Sequence, residues 1–209
     1  MFAARKKLSW FALLYALCAQ SDECTFAAFQ RDTFKNRLCY TSGLCSETVR
    51  KQLMEARLRG VPIDDLRVLF LVRETRVLRD SGKEVNPNPN NDALFPRGLP
   101  RNSFWLHHVV IMDSAGNIYD QDVSRDPVPA QHYFDLLFPQ PYTEDPYFEG
   151  VDRHQYIYLR EIEPRSYLWR AAVGPNAGYV PNYYRRSGSA TESIVRLSDF
   201  LKSLSRDAK

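Results

Sequence analysis

Charge of one sign, an apolar run long enough to span a bilayer and a regular cysteine framework are all missing from this 209-residue sequence. Each absence excludes a class of protein. Twenty-eight Lys and Arg against 25 Asp and Glu leave a net charge of only +3, and the basic residues are scattered without interleaved aromatics. Nucleic acid is therefore not an expected partner. Past the N-terminal segment nothing is apolar enough to cross a membrane, so no stable membrane association is expected. The cysteines (Cys18, Cys24, Cys39 and Cys45) all fall in the first quarter of the chain. A disulfide scaffold spreads its cysteines to staple distant segments, and a structural zinc site pairs them as C-x-x-C. Free thiols, one of them a candidate nucleophile, are the better reading. There is no internal repeat and no clear domain boundary.

What is present fits one soluble globular domain: 44% hydrophobic and 25% charged residues over a length that can bury a core. Thirteen prolines and 13% aromatics suggest long structured loops over a mixed core. Arg5, Lys6 and Lys7 precede the apolar run Leu8 to Cys18, the outline of a signal peptide. Phe11, Leu14, Tyr15 and Cys18 also recur at helical spacing, and an amphipathic leading helix is preferred. Residues 1–30 are thus read as a leader helix or signal-like segment, and 31–209 as the single functional domain.

Residues 20–44 are polar and read as irregular. Ser46 to Arg59 predicts a helix, with Val49, Leu53 and Ala56 as its apolar stripe and Gly60-Val61-Pro62 as its stop. Leu66 to Val72 predicts a strand, and Phe104 to Met112 a second one. Residues 73–79 extend the first strand or return as its hairpin partner, and Ser81 to Pro100 reads as a loop. The turn chemistry of Asp113-Ser114-Ala115-Gly116-Asn117 makes Ile118-Tyr119-Asp120 the returning arm of a hairpin. A proline-rich, aromatic stretch runs from Asp126 to Gly150. Gln155 to Glu161 reads as a strand and Ser193 to Leu204 as a closing helix. A cysteine-bearing helix followed by an antiparallel sheet carrying histidine and aspartate is an α+β layout.

Only a thiolate attacks, so a nucleophilic cysteine needs its pKa lowered, by a helix N-terminus or a nearby imidazole. Cys45 stands where the helix begins, after Tyr40-Thr41-Ser42-Gly43-Leu44, and the first-turn N–H groups there suit an oxyanion. His108 lies on an apolar strand, and the hairpin can bring Asp120 beside it to fix the imidazole's tautomer. Cys, His, Asp is also the chain order of papain-like and transglutaminase-like enzymes. Blander roles exist for each: an inert thiol, a structural strand histidine, and a turn cap at Asp120 or Asp122. His107 and His108 as metal ligands are disfavoured, because adjacent strand residues point to opposite faces. Cys39, Cys45 and His107 make a poor zinc set. His132 and His154 read as surface bystanders.

Several segments in register resemble the protein N-terminal glutamine amidohydrolases, which deamidate N-terminal glutamine in the N-degron pathway. Tyr40-Thr41-Ser42-Gly43-Leu44-Cys45-Ser46-Glu47-Thr48 is similar to the family's nucleophile segment, whose second cysteine matches Cys45. Trp105-Leu106-His107-His108-Val109-Val110 resembles its Trp-Asp-Tyr-His-Val-Val, and Tyr119-Asp120-Gln121-Asp122 its Tyr-Asp-Leu-Asp. Ser166-Tyr167-Leu168 and Leu197-Ser198-Asp199-Phe200 match two later segments. The likeness runs from about residue 38 to the end. Gly43, Leu106 and Thr48 replace family residues without touching the triad, and the stretch Trp169 to Tyr184 has no clear counterpart.

The resemblance implies a papain-like core with Cys45, His108 and Asp120 as catalytic residues. It also implies hydrolysis of N-terminal glutamine to glutamate through a thioester, with no metal and no cofactor. Tyr40, Ser42, Glu47, Trp105 and Asp122 are the candidate substrate-binding residues, with Glu47 or Asp122 as acceptor for a free α-ammonium group. Expected partners are proteins or peptides with N-terminal glutamine, met by a cytoplasmic monomer, or by an exported one if the leader is a true signal. Two alternatives stand beside this: an internal-glutamine deamidase or transglutaminase, and a non-catalytic relative that binds peptide ends.

Overall fold

The computed structural model describes residues 25–36, 45–73, 94, 96–97, 105–139, 156–173 and 194–207. The leader (residues 1–20) and most of the 81–100 loop lie outside the described residues. In chain order the elements are α1 (Phe26–Asn36), α2 (Cys45–Leu58), β1 (Arg67–Arg73), β2 (His108–Met112), β3 (Asn117–Tyr119) and β4 (Val128–Pro129). They continue with α3 (Ala130–Leu137), β5 (Ile157–Ile162), α4 (Pro164–Val173), β6 (Ile194–Arg196) and α5 (Leu197–Asp207). The strands form one antiparallel sheet in the order β4-β3-β2-β1-β5-β6, so the architecture is α+β.

The unbroken apolar run of β1 has a physical reason: the strand is central and covered on both faces, so both sets of alternating side chains need an apolar neighbour. Val68, Phe70 and Val72, with Val109, Ile111, Tyr119 and Ile162 of neighbouring strands, pack under α1 and α2. Leu69 and Leu71, with Val110, Met112, Ile118 and Leu159, pack under α3 and α5. The register Leu71↔His108 and Phe70↔Val109 places His108 at the first position of β2, on the α3 side of the sheet. No helix among the described residues is long and apolar enough to cross a membrane.

Sequence and structure part at several elements. The segment read as irregular contains α1, whose inward face mixes Phe26 and Phe29 with the buried polar Gln30 and Thr33, which breaks up the apolar stripe. This helix crosses the expected boundary at residue 30, so residues 26–30 belong to the core. β2 begins at His108 rather than Phe104, and Trp105 instead makes an isolated bridge to Leu94. Within the proline-rich stretch, Ala130, Tyr133, Phe134 and Leu137 line the buried face of α3. Pro164, a residue suited to a first helical turn, opens the unforeseen α4. The closing helix starts only at Leu197, because Ile194 to Arg196 pair with β5 as an edge strand.

The end of α2 follows its sequence signal closely. Gly60 has φ 76°, its N–H donates to the Arg57 carbonyl at 3.1 Å, and the Val61 N–H donates to that of Ala56 at 2.9 Å. These are the two bonds of a Schellman cap, which requires a left-handed residue at the glycine. A Cβ built at Gly60 meets nothing within 4 Å, so substitution there is penalised by the backbone alone. Gly60→Ala is expected to destabilise the fold by about 1 kcal/mol. Urea unfolding checks this: the midpoint falls while the slope is unchanged.

Candidate active site

The hairpin between β2 and β3 builds half of the site. Asp113 accepts from the Asn117 backbone N–H at 2.9 Å, Gly116 takes φ 79°, and the register closes as Ile111↔Tyr119 and Met112↔Ile118. Continued by one residue, this register brings Asp120 opposite Val110 and diagonal to His108 on the same face, within reach of a long side-chain pair. His108 Nε2 and Asp120 Oδ2 are 2.8 Å apart, and both side chains are buried. Asp120 has two further donors: the Tyr133 hydroxyl on Oδ2 at 2.6 Å and the Asp122 backbone N–H on Oδ1 at 2.9 Å. Trp105 lies flat against the other side of the imidazole, with ring centroids 3.9 Å apart and planes 13° from parallel.

The other half comes from α2. Cys45 is its first residue and half-buried, so the sulfur sits where first-turn N–H groups have no partner within the helix. Its thiol donates a long contact to the His107 carbonyl oxygen at 4.0 Å, and the His107 and His108 rings are close enough to influence its ionisation. Because Asp120 occupies Nε2 of His108, the remaining ring nitrogen, Nδ1, is the one left for sulfur.

Electrostatics favour an ion pair across this contact. Burial pushes the Cys45 thiol up, but hydrogen bonds from His107 and His108 and the charges of both rings outweigh it and bring the pKa to about 6. Burial pushes His108 down, and the charge and hydrogen bond of Asp120, helped by Cys45, reverse this and hold it far above its ordinary value, at about 10. Asp120 is held below the usual carboxylate range: burial opposes ionisation, while His108, Tyr133 and the Asp122 N–H favour it more strongly. Burial and then the Asp120 charge push the Tyr133 phenol well above its ordinary value, so it remains protonated and donates. Between the two limits sulfur is anionic and the ring cationic.

Of the other sequence candidates, Trp105 joins the site by covering the imidazole. Glu47 does not: its carboxylate is engaged by Arg50 at 2.7 and 2.5 Å, and Arg50 is what lowers its pKa. The Asp122 side chain is exposed, and only its backbone N–H reaches the site. Neither carboxylate is thus a buried acceptor for an ammonium group. Tyr40, Ser42, Cys39 and His154 lie outside the described residues. His132 is exposed on α3. No group of three or more His, Cys, Asp or Glu side chains among the described residues is disposed to hold a metal ion.

Two site residues escaped the sequence reading. Tyr133 sat in the proline-rich, aromatic stretch to which no element was assigned, although Ala130, Tyr133, Phe134 and Leu137 recur at helical spacing after Pro129. His107 was weighed only as a metal ligand, and disfavoured in that role because neighbouring strand residues face opposite ways. The rings do part company, His107 stacking on Phe70 at 5.0 Å and His108 on Trp105, yet the sulfur lies at the start of β2, where both lower its pKa.

A scan of the chain against protein-family models finds no match, and a search of curated proteins finds none either.

The protonation states make a prediction that needs no substrate. Alkylation of Cys45 by iodoacetamide, followed by peptide mapping, is expected to rise with pH with a midpoint near 6. Asp120→Asn weakens the positive charge on His108 and so moves that midpoint upward. An unshifted midpoint in this variant means that the carboxylate does not sustain the ion pair.

Proposed function

We propose that the protein is a cysteine amidohydrolase on a papain-like core, converting an N-terminal glutamine side chain to glutamate with release of ammonia. The single observation that carries this reading is the convergence of Cys45, His108 and Asp120 from three separate segments, with imidazole and carboxylate hydrogen-bonded at 2.8 Å and the sulfur close enough to be acidified by the ring. The resemblance of the surrounding segments to the N-terminal glutamine amidohydrolases supplies the substrate.

The chemistry follows from that line. The Cys45 thiolate attacks the side-chain carboxamide carbon of glutamine, forming a carbon–sulfur bond and a tetrahedral oxyanion. N–H groups at the start of α2 hold the oxyanion. As the carbon–nitrogen bond breaks, His108 gives its proton to the departing nitrogen, and ammonia leaves a thioester behind. Neutral His108 then takes a proton from water, whose oxygen attacks the thioester. The carbon–sulfur bond breaks, glutamate is released and the thiolate–imidazolium pair is regenerated. Asp120, held by Tyr133 and the Asp122 N–H, keeps Nε2 occupied throughout, so Nδ1 performs both transfers. Trp105 shields one face of the ring from water.

One observation favours a second reading on the same chemistry. The Glu47 carboxylate is committed to Arg50 and that of Asp122 faces solvent, so neither reads a free α-ammonium group. Deamidation of internal glutamine needs no such acceptor. Mass spectrometry on two peptides, one with N-terminal and one with internal glutamine, separates the two. A one-dalton gain and ammonia from the first alone is expected, and gain on the internal site alone rejects the N-terminal specificity. Cys45→Ala should abolish turnover, and activity left intact in that variant rejects the mechanism. The pH dependence of kcat/KM should be a bell with apparent limits near 6 and 10, belonging to the coupled pair. Activity falls below the lower limit as sulfur gains its proton, and above the upper one as the ring loses its own.

A further inference from the structure

Ser46 and His107, the residues after the nucleophile and before the imidazole, are in contact with each other, and the mechanism above uses neither. His107 Nε2 is 3.3 Å from Ser46 Oγ. The His107 ring is clamped flat on Phe70, a fully buried β1 side chain, at a centroid distance of 5.0 Å and an angle of 18°. Ser46 is itself buried, and its carbonyl accepts from the Tyr167 hydroxyl at 2.7 Å, which pins the first turn of α2 to α4. The ring therefore has one nitrogen spoken for and a fixed plane, and its own backbone carbonyl stands 4.0 Å from the Cys45 sulfur.

We propose that His107 is a second hydrogen-bond donor to the Cys45 sulfur, with Ser46 as the positioning residue that sets its tautomer. The Ser46 hydroxyl donates to Nε2, so the ring proton resides on Nδ1 and is offered to sulfur. The two imidazoles then divide the work. His108, bound to Asp120, moves the proton between sulfur, leaving group and water. Among the described residues His107 has no carboxylate partner, and it donates through Nδ1. Its bond stabilises the thiolate at rest, in accord with the hydrogen bond from His107 being the strongest of the influences that make Cys45 acidic.

This inference rests on Cys45 being the nucleophile, and its test is independent of turnover. The alkylation midpoint of Cys45 is measured by peptide mapping in the full chain and in three variants. His107→Phe keeps a flat ring over Phe70 but has no N–H, and should raise the midpoint by about one pH unit. His107→Gln offers an amide N–H, and should lie closer to the wild-type chain. Ser46→Ala leaves the backbone carbonyl bound by Tyr167 and should produce a smaller upward shift. A purely structural ring predicts the reverse order, with Phe tolerated and Gln not. A wild-type midpoint near 6 that His107→Phe leaves in place overturns the proposal while the reading of Cys45 and His108 stands. Should His107→Phe fail to fold, an unshifted Ser46→Ala midpoint overturns it equally. A wild-type midpoint at the ordinary thiol value overturns both.

Discussion

The buried contact between His108 and Asp120 is the constraint on which the rest of the site depends. Removing a carboxylate and an imidazolium from water opposes folding by roughly several kcal/mol per ion, and attraction between them offsets this only when the remaining lone pairs are also satisfied. The molecule meets that condition. Tyr133 and the Asp122 backbone N–H complete the coordination of Asp120, and Trp105 covers the ring face to face. Trp105 also contributes an attraction between its π-face and a cationic ring. Were any of these lost, the neutral pair would become the cheaper state, and sulfur would lose the cation that keeps it ionised.

The fold can be understood as the device that brings this contact to a cysteine. β1 is buried on both faces and fixes β2 in register at Leu71↔His108. The Asp113–Asn117 turn then fixes β3, so one tight hairpin determines where Asp120 stands relative to His108. α2 arrives from the other face of the sheet, where Val49 and Leu53 seat it over Val68 and Phe70. Its N-terminus reaches the start of β2, where the Cys45 sulfur lies 4.0 Å from the His107 carbonyl oxygen. Tyr167 ties that helix start to α4, and Gln121 Nε2 reaches Thr33 Oγ1 at 3.4 Å, linking the segment after Asp120 to α1. The unforeseen helices α1, α3 and α4 are therefore the parts that immobilise the site.

How much of this was legible in the sequence divides along physical lines. Local signals carried well: the turn residues at 113–117 gave the hairpin, Gly60 gave the end of α2, and the apolar run gave the central strand. Residue types at those elements also pointed to Cys45, His108 and Asp120. Tertiary substitution of polar for apolar residues did not carry. α1 hides Gln30 and Thr33 on its inner face, where hydrogen bonds to the chain around residues 121–125 replace apolar packing. Tyr133 is at once a core aromatic and a donor, and composition alone registers only the first of these. His107 shows the limit of periodicity: alternation correctly separates it from His108, but says nothing of a third element lying across the strand's end.

The same distinction bears on specificity. Acidity of the sulfur, tautomer of the imidazole and orientation of the carboxylate are all set by contacts among α2, β2, β3 and α3, so the bond-breaking chemistry proposed for them would be built into the fold itself. On the proposed function, recognition of a particular glutamine would draw on groups outside that network. Leu106, nearly half exposed between Trp105 and His107, has no charge to offer, and the Glu47 carboxylate spends its hydrogen bonds on Arg50. A change at Leu106 or Glu47 can alter which amide is presented without disturbing the His108–Asp120 pair. Under the proposed function, substrate choice would thus be separable from catalytic competence and free to vary on a fixed reacting centre.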